Sequence, residues 1–316
     1  MDLSTKFSAK GLCGLTNLGN TCYMNAMIQC LNCSYELIIL VYNEYTIGDN
    51  LTSSFVNLSN ELYKINYIVN PDTFLNKVQE TAIENDKSEF LQMNQKCAVD
   101  FLQFILEEFI KNTRLNVTIN IKNNTHGDNN RDYDALKAYK LYFEKEYSKL
   151  IKLLYGQYYN IYLNKNNEKS FQYDPFNIVQ LEINECDTIY DCFDNFITTE
   201  ELEDGSKRQI LFWEFPKILI IQLKRRNNMT DYNGRMIDFP MNLDVYQYCK
   251  KKTNTHFSLY AVCNHVGSAT GGHYYSYCKN FNDSWYEYND DKVYTRKIDE
   301  IVTPHAYCMF YRKINK

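Results

Sequence analysis

The sequence carries no excess of positive charge. Its 34 lysines and arginines are outnumbered by 39 aspartates and glutamates, giving a formal net charge of -5. A nucleic-acid-binding domain ordinarily shows a cationic face, so that class of partner is not expected. A long hydrophobic run is missing as well. Met1 to Lys10 hold no apolar stretch, and nothing further along is long enough to cross a bilayer. Neither a secretory signal nor a membrane partner is expected, and there is no internal repeat. Cysteine is plentiful, but 11 is an odd count in a chain of 316 residues, which argues against a disulfide framework. A reducing, intracellular setting in cytoplasm or nucleus is expected. The length allows one large domain or two small ones with an ample core.

The pattern changes character near Gly156. Before it, Asn20 and Thr21 are candidate helix N-caps, and Tyr23, Ala26, Met27, Cys30 and Leu31 recur at helical spacing. This predicts a helix with Cys22 in its first turn. A second helix is predicted through Ala98, Phe101, Leu102, Ile105, Leu106 and Phe109. The segment 112–134 is rich in Asn and Asp, has no period, and reads as a long loop. A third helix is predicted through Leu136, Tyr139, Phe143, Tyr147, Leu150, Ile151 and Leu154, with Gly156 just past its end. Beyond it, short runs of β-formers span Phe176 to Ile183, Lys217 to Leu223, Phe257 to Cys263, Tyr274 to Cys278, Trp285 to Tyr288 and Ala306 to Tyr311. Helices first and strands afterwards indicate an α+β fold.

The run from Gly14 to Ala26 has a mechanical reading. Gly14 and Gly19 permit a tight turn that delivers Cys22 to a helix N-terminus, where the dipole favours an anion. First-turn N–H groups there can face an oxyanion, and so can an amide side chain; Asn17 is the first candidate and Asn20 the second. A lone cysteine before a helix is more often a packing residue, and the surrounding Gly and Asn pattern shifts that balance. Cys30 and Cys33 form a Cys-x-x-Cys, but with no second pair nearby a structural role is expected.

Of five histidines, His126, His256 and His305 read as solvated or structural. His265 and His273 flank Gly271 and Gly272, which would let an extended substrate backbone approach. A hairpin centred on Phe281 would set His273 opposite Asn289, close enough for the amide to hold the imidazole. A one-residue slip would present Asp290 instead, which is therefore the rival and alternatively a support for the oxyanion or a water.

Together the two segments resemble the ubiquitin-specific proteases. Gly14 to Gln29 follows that family's cysteine box, G-L-x-N-L-G-N-T-C-Y-M-N-x-x-x-Q. His256 to His265, Gly267, Gly272 to Tyr274, Trp285, Tyr288 to Asp290 and Val293 follow its histidine box, and Phe215 to Arg225 resembles its P-x-x-L-x-x-x-L-K-R strand. The resemblance implies a papain-like cysteine protease fold with fingers, palm and thumb. It implies a tail at 1–10 and a catalytic domain over 11–316, helical to about 155 and mainly β from about 156. Ubiquitin or ubiquitinated proteins would be the partners of a monomer. Cys22 would attack the carbonyl of ubiquitin's terminal glycine, His273 would move the proton, Asn289 would orient the imidazole and Asn17 would stabilise the oxyanion. Gln29, Asp100, Gly271, Gly272 and Tyr274 would bind the substrate tail.

Two departures stand out. The family's zinc-binding Cys-x-x-Cys pairs have no counterpart, since Cys186 and Cys192 are too few and wrongly spaced, so neither a metal nor any other cofactor is expected. In the family's Q-Q-D-A-x-E-F-L helix, Cys97 replaces the aspartate and Asp100 retains the second carboxylate. A silent ubiquitin-binding module and a protease for another ubiquitin-like modifier are the alternative functions.

Overall fold

The computed structural model describes residues 10–64, 67–91, 96–121, 130–226, 232–253, 255–268 and 271–314. Gln95, His126, Ala269 and Thr270 lie outside these. The helices are α1 (Cys22–Asn32), α2 (Tyr35–Glu44), α3 (Leu51–Lys64), α4 (Asp72–Glu84), α5 (Ala98–Asn112), α6 (Asn130–Phe143), α7 (Ile151–Leu154) and α8 (Ile189–Phe196). The strands are β1 (Gly156–Leu163), β2 (Lys169–Phe176), β3 (Ile178–Glu182), β4 (Glu200–Glu201), β5 (Lys207–Glu214), β6 (Ile218–Lys224), β7 (Asn242–Asp244), β8 (His256–Gly267), β9 (Gly272–Lys279), β10 (Trp285–Asn289), β11 (Lys292–Arg296) and β12 (Ala306–Lys313). One sheet runs β11-β10-β9-β8-β12-β6-β3 with β7 paired to β8, and a second runs β2-β1-β5-β4.

The larger sheet is covered on both faces. Ile218 and Ile220 of β6 face the helices, while Leu219 and Ile221 face a second cluster with Phe193 of α8. That is the alternation a strand imposes, and burial on both sides explains why β6 reads as an unbroken apolar run. Helix α1 lies against β8, β9 and β10 and is buried along its whole length. Its polar side chains tie it down: Gln29 donates to the Cys13 carbonyl at 2.8 Å, and Asn32 accepts from Ser59 at 2.6 Å.

Sequence and structure part company in three places. The predicted third helix is two, α6 and α7. Tyr147 gives its carbonyl to Leu115 N–H at 2.7 Å, and the Ser148 and Thr113 hydroxyls meet at 2.6 Å, so the intervening backbone is spent on a neighbouring segment. Because α6 begins at Asn130, the predicted loop over 112–134 ends sooner than its composition suggested. The smaller sheet was not foreseen. Its strands are built from Tyr, Asn, Gln and Lys, and aromatic contacts hold it, such as Tyr159 against Tyr173 at 5.2 Å and Tyr173 against Trp213 at 5.4 Å.

Residues 14–16 form the joint between the two halves. Leu15 N–H donates to Asp290 O at 2.7 Å, Thr16 N–H to Val69 O and Val69 N–H to Gly14 O, both at 2.9 Å. A Cβ on Gly14 would stand 2.3 Å from the Asp291 carbonyl oxygen, which is backbone and cannot swing aside. Gly14→Ala is therefore expected to destabilise by about 1–3 kcal/mol, read as a lower melting temperature. Gly234→Ala, where a Cβ meets nothing within 4 Å, serves as control and should stay within about 0.5 kcal/mol of the parent.

Candidate active site

Cys22 opens α1 after a turn of two left-handed residues, Gly19 at φ 96° and Asn20 at φ 55°. Thr21 is the N-cap but makes no side-chain capping bond. Its hydroxyl instead accepts from Leu18 N–H at 2.9 Å, so the first turn of α1 is not filled from the capping position. The Cys22 residue is 2% exposed.

β9 carries His273 into the neighbourhood of the Cys22 thiol. Cys22, with help from Asn289, pushes the imidazole pKa up to about 9 against the opposing effect of burial. Imidazole Nε2 lies 2.7 Å from Asn289 Oδ1. A carbonyl oxygen can only accept, so Nε2 carries the proton and Nδ1 is left to face sulfur.

The hairpin register differs from the sequence expectation by two residues. Trp285 pairs with Lys279 and Tyr288 with Ser276, so Asn289 is a diagonal neighbour of His273. A slip of two preserves the face on which each side chain lies, and diagonal pairs remain within reach of long side chains. Of Asn289 and Asp290, it is Asn289 that is hydrogen-bonded to the imidazole. Asp290, at φ 51°, has other partners. It accepts from Asn17 Nδ2 and from Asn25 Nδ2, each at 2.9 Å.

Asn17 is fixed at both ends of its amide. Its Oδ1 accepts from Gly19 N–H at 3.0 Å and Thr21 N–H at 3.2 Å, while Nδ2 serves Asp290. The exposed Asn20 is a turn residue. Asn25 is the member that sequence reasoning missed. It stands three residues after Cys22, one helical turn on, and holds Asp290 from the helix side; its position inside the cysteine box was the available signal.

The residues expected to bind substrate are less uniform. Gln29 is 3% exposed and spends its amide on Cys13, and Tyr274 is 2% exposed and packs its ring 4.5 Å from His265. Both are buried within the fold of this chain. Gly272 has a reason internal to the sheet: a Cβ would stand 2.4 Å from His265 Nε2. Gly271 is half-buried and Asp100 exposed. Cys97, beside Asp100, turns inward with its sulfur 3.2 Å from the Tyr307 hydroxyl. Among the described residues no group of three or more His, Cys, Asp or Glu side chains is arranged to hold a metal ion, and no single helix is long and apolar enough to cross a membrane.

Comparison with known proteins gives a consistent picture. Ubiquitin carboxyl-terminal hydrolase 2 of Bos taurus is 30% identical over 348 residues, covering 98% of this chain and 56% of its own length. The Homo sapiens protein of that name is 30% identical over 342 residues, covering 96% of this chain and 55% of its own. The chain thus spans about half the length of these relatives. Among solved structures, a chain of the SAGA DUB module bound to monoubiquitin superposes with a TM-score of 0.74 at 21% identity, over 97% of this chain and 70% of that one. A chain of the yeast module reaches 0.76 at 21% identity, over 99% and 70%. These likenesses give the fold, a papain-like arrangement of helices and sheet. The family model described as ubiquitin carboxyl-terminal hydrolase matches residues 13–311, and with that match the chain belongs to the ubiquitin carboxyl-terminal hydrolase family.

Proposed function

We propose that the chain is a thiol-dependent deubiquitinase, hydrolysing the peptide or isopeptide bond after the C-terminal glycine of ubiquitin. The observation that carries this reading is the 2.7 Å contact from His273 Nε2 to Asn289 Oδ1, which leaves Nδ1 for the Cys22 proton. The imidazole takes that proton and the sulfur attacks the glycine carbonyl carbon, forming an S–C bond and an oxyanion. The first-turn N–H groups of α1 and the second N–H of the Asn17 amide stabilise that oxyanion. The imidazolium returns the proton to the leaving amine as the C–N bond breaks. Water, deprotonated by His273, then attacks the thioester, the S–C bond breaks and the thiol is restored. Cys22 lies so deep that only an extended main chain reaches it, which a Gly-Gly tail supplies and bulkier residues do not.

A second reading, a protease for a ubiquitin-like modifier, draws on one observation. The inward-turned Cys97 leaves Asp100 without a neighbouring carboxylate at that position of the helix. The two are separated by electrophilic probes built on the C-terminus of ubiquitin and of ubiquitin-like modifiers. Labelling by the ubiquitin probe that disappears in Cys22→Ala is the expected result. Labelling only by another modifier's probe transfers the reading to that modifier, and labelling by none removes the enzymatic assignment.

Asn289→Ala should lower kcat by roughly 10²-fold or more, whereas Asp291→Ala, an exposed neighbour, should have little effect. Because the imidazole pKa is raised to about 9, the ring holds its positive charge through neutrality and loses it as pH rises through that value. The alkaline limb of kcat/KM is expected near pH 9, moving to lower pH in Asn289→Ala, which removes a bond that favours the charged ring. Asn17→Ala should lower kcat by roughly 10²- to 10³-fold with KM little changed. Asp290→Ala should act in the same direction but add little in the Asn17→Ala background, a non-additivity read from a double-mutant cycle.

A further inference from the structure

An asparagine that anchors a histidine has an ambiguity that an aspartate does not. Its amide can present oxygen or nitrogen to the ring. With oxygen forward, Nε2 carries the proton and Nδ1 is a base. With nitrogen forward, Nε2 accepts, the proton sits on Nδ1, and the ring faces the thiol with no lone pair. In the neutral ring, the form that accepts the thiol proton, both arrangements are internally satisfied, so something outside the pair must choose between them.

The choice is built into β10. Glu287 and Asn289 are two residues apart and share a face of the strand. Asn289 Nδ2 donates to Glu287 Oε1 at 3.3 Å. The other carboxylate oxygen accepts from Arg296 Nε at 2.8 Å and Nη2 at 2.6 Å. Arg296 reaches it from β11, where the register sets Glu287 opposite Tyr294 and Trp285 opposite Arg296. The Glu287 side chain is 8% exposed. With one oxygen taking two guanidinium N–H groups, the carboxylate turns its other oxygen to Asn289 as an acceptor, so it favours the amide nitrogen and repels the amide oxygen.

We propose that Glu287, held by Arg296, is a positioning residue that selects the Asn289 amide orientation, and through it the His273 tautomer that accepts the Cys22 proton. This rests on the reading of Asn289 as the anchor of a catalytic imidazole. The test is a mutant cycle on the full chain with a fluorogenic ubiquitin C-terminal amide. Glu287→Leu should lower kcat about tenfold with KM unchanged. In the Asn289→Asp background the same substitution should cost nothing or raise kcat, because a carboxylate has two equivalent oxygens and no orientation to choose, and a like charge beside it is removed. Arg296→Lys, which keeps the charge but loses the paired contact, should show a smaller loss of the same pattern should Glu287→Leu fold poorly by thermal melting. An equal loss in both backgrounds overturns the proposal, since packing damage does not depend on which atom position 289 presents. No loss on Glu287→Leu, with Asn289→Ala still defective, also overturns it while leaving the triad intact. If Asn289→Ala itself keeps full kcat, the anchor reading and this proposal fall together.

Discussion

The Asp290 carboxylate receives one amide from the helical half and another from the turn that precedes it, while its backbone carbonyl receives Leu15 N–H. Asn17 and Asn25 are separated from it by 273 and 265 residues of chain. The chemistry depends on this junction, because thiol and imidazole arrive from opposite sides of it. Hydrogen bonds to an ionised group contribute roughly 1.5–3 kcal/mol each, enough to outweigh the left-handed backbone of Asp290, a conformation that aspartate tolerates better than most residues. The close approach of Gly14 to Asp291 belongs to the same constraint. Without a side chain at 14 the two backbones touch, and the bond between Leu15 and Asp290 can form.

Much of the site was legible in the sequence because its parts lie within continuous stretches. The turn, the helix start and Cys22 are local, and so is the parity of the His273 hairpin. Parity is also why the imidazole contact survives an error of two in register: the face of a strand is set by odd or even spacing, whereas the register depends on how many residues the turn around Asn280 to Ser284 consumes. Support for the oxyanion was one of two sequence readings of Asp290, but its contacts were not legible, since they require knowing that residues 15, 17 and 25 sit across from it. The smaller sheet was illegible for a different reason. Its exposed positions carry Gln and Lys, and tilted and edge-on contacts among Tyr159, Tyr173 and Trp213 join its strands, a pattern that no local apolar period announces.

The remaining cysteines show what separates a nucleophile from a packing residue. Cys30, Cys263, Cys278 and Cys308 are fully buried under α1 and the sheet, and burial raises their thiol pKa values, in the case of Cys30 to about 11. They share the interior with Cys22 but meet neither a helix start nor an imidazole. Only a thiolate attacks a carbonyl, so depth alone would silence Cys22 as well. Position at the first residue of α1 and a place beside His273, whose pKa it raises, set it apart.

The two asparagines of the site obey one rule. A side-chain amide is polar along a single axis and can be turned end for end at little cost in shape, so its usefulness depends on what fixes the axis. Asn17 has its oxygen held by two backbone N–H groups and its nitrogen drawn to Asp290. Asn289 has its oxygen on imidazole Nε2 and its nitrogen toward Glu287. In both, a carboxylate that cannot donate takes the nitrogen end, and that carboxylate is itself anchored, by Asn25 in one case and by Arg296 in the other. The groups that would meet the oxyanion and the imidazole are neutral amides, yet their orientation is set by charge placed one step behind them, where it neither competes for the imidazole proton nor sets a negative carboxylate against the oxyanion. Replacing either amide directly by a carboxylate would supply the charge without that separation, which is a physical reason for keeping the acid behind the amide rather than in its place.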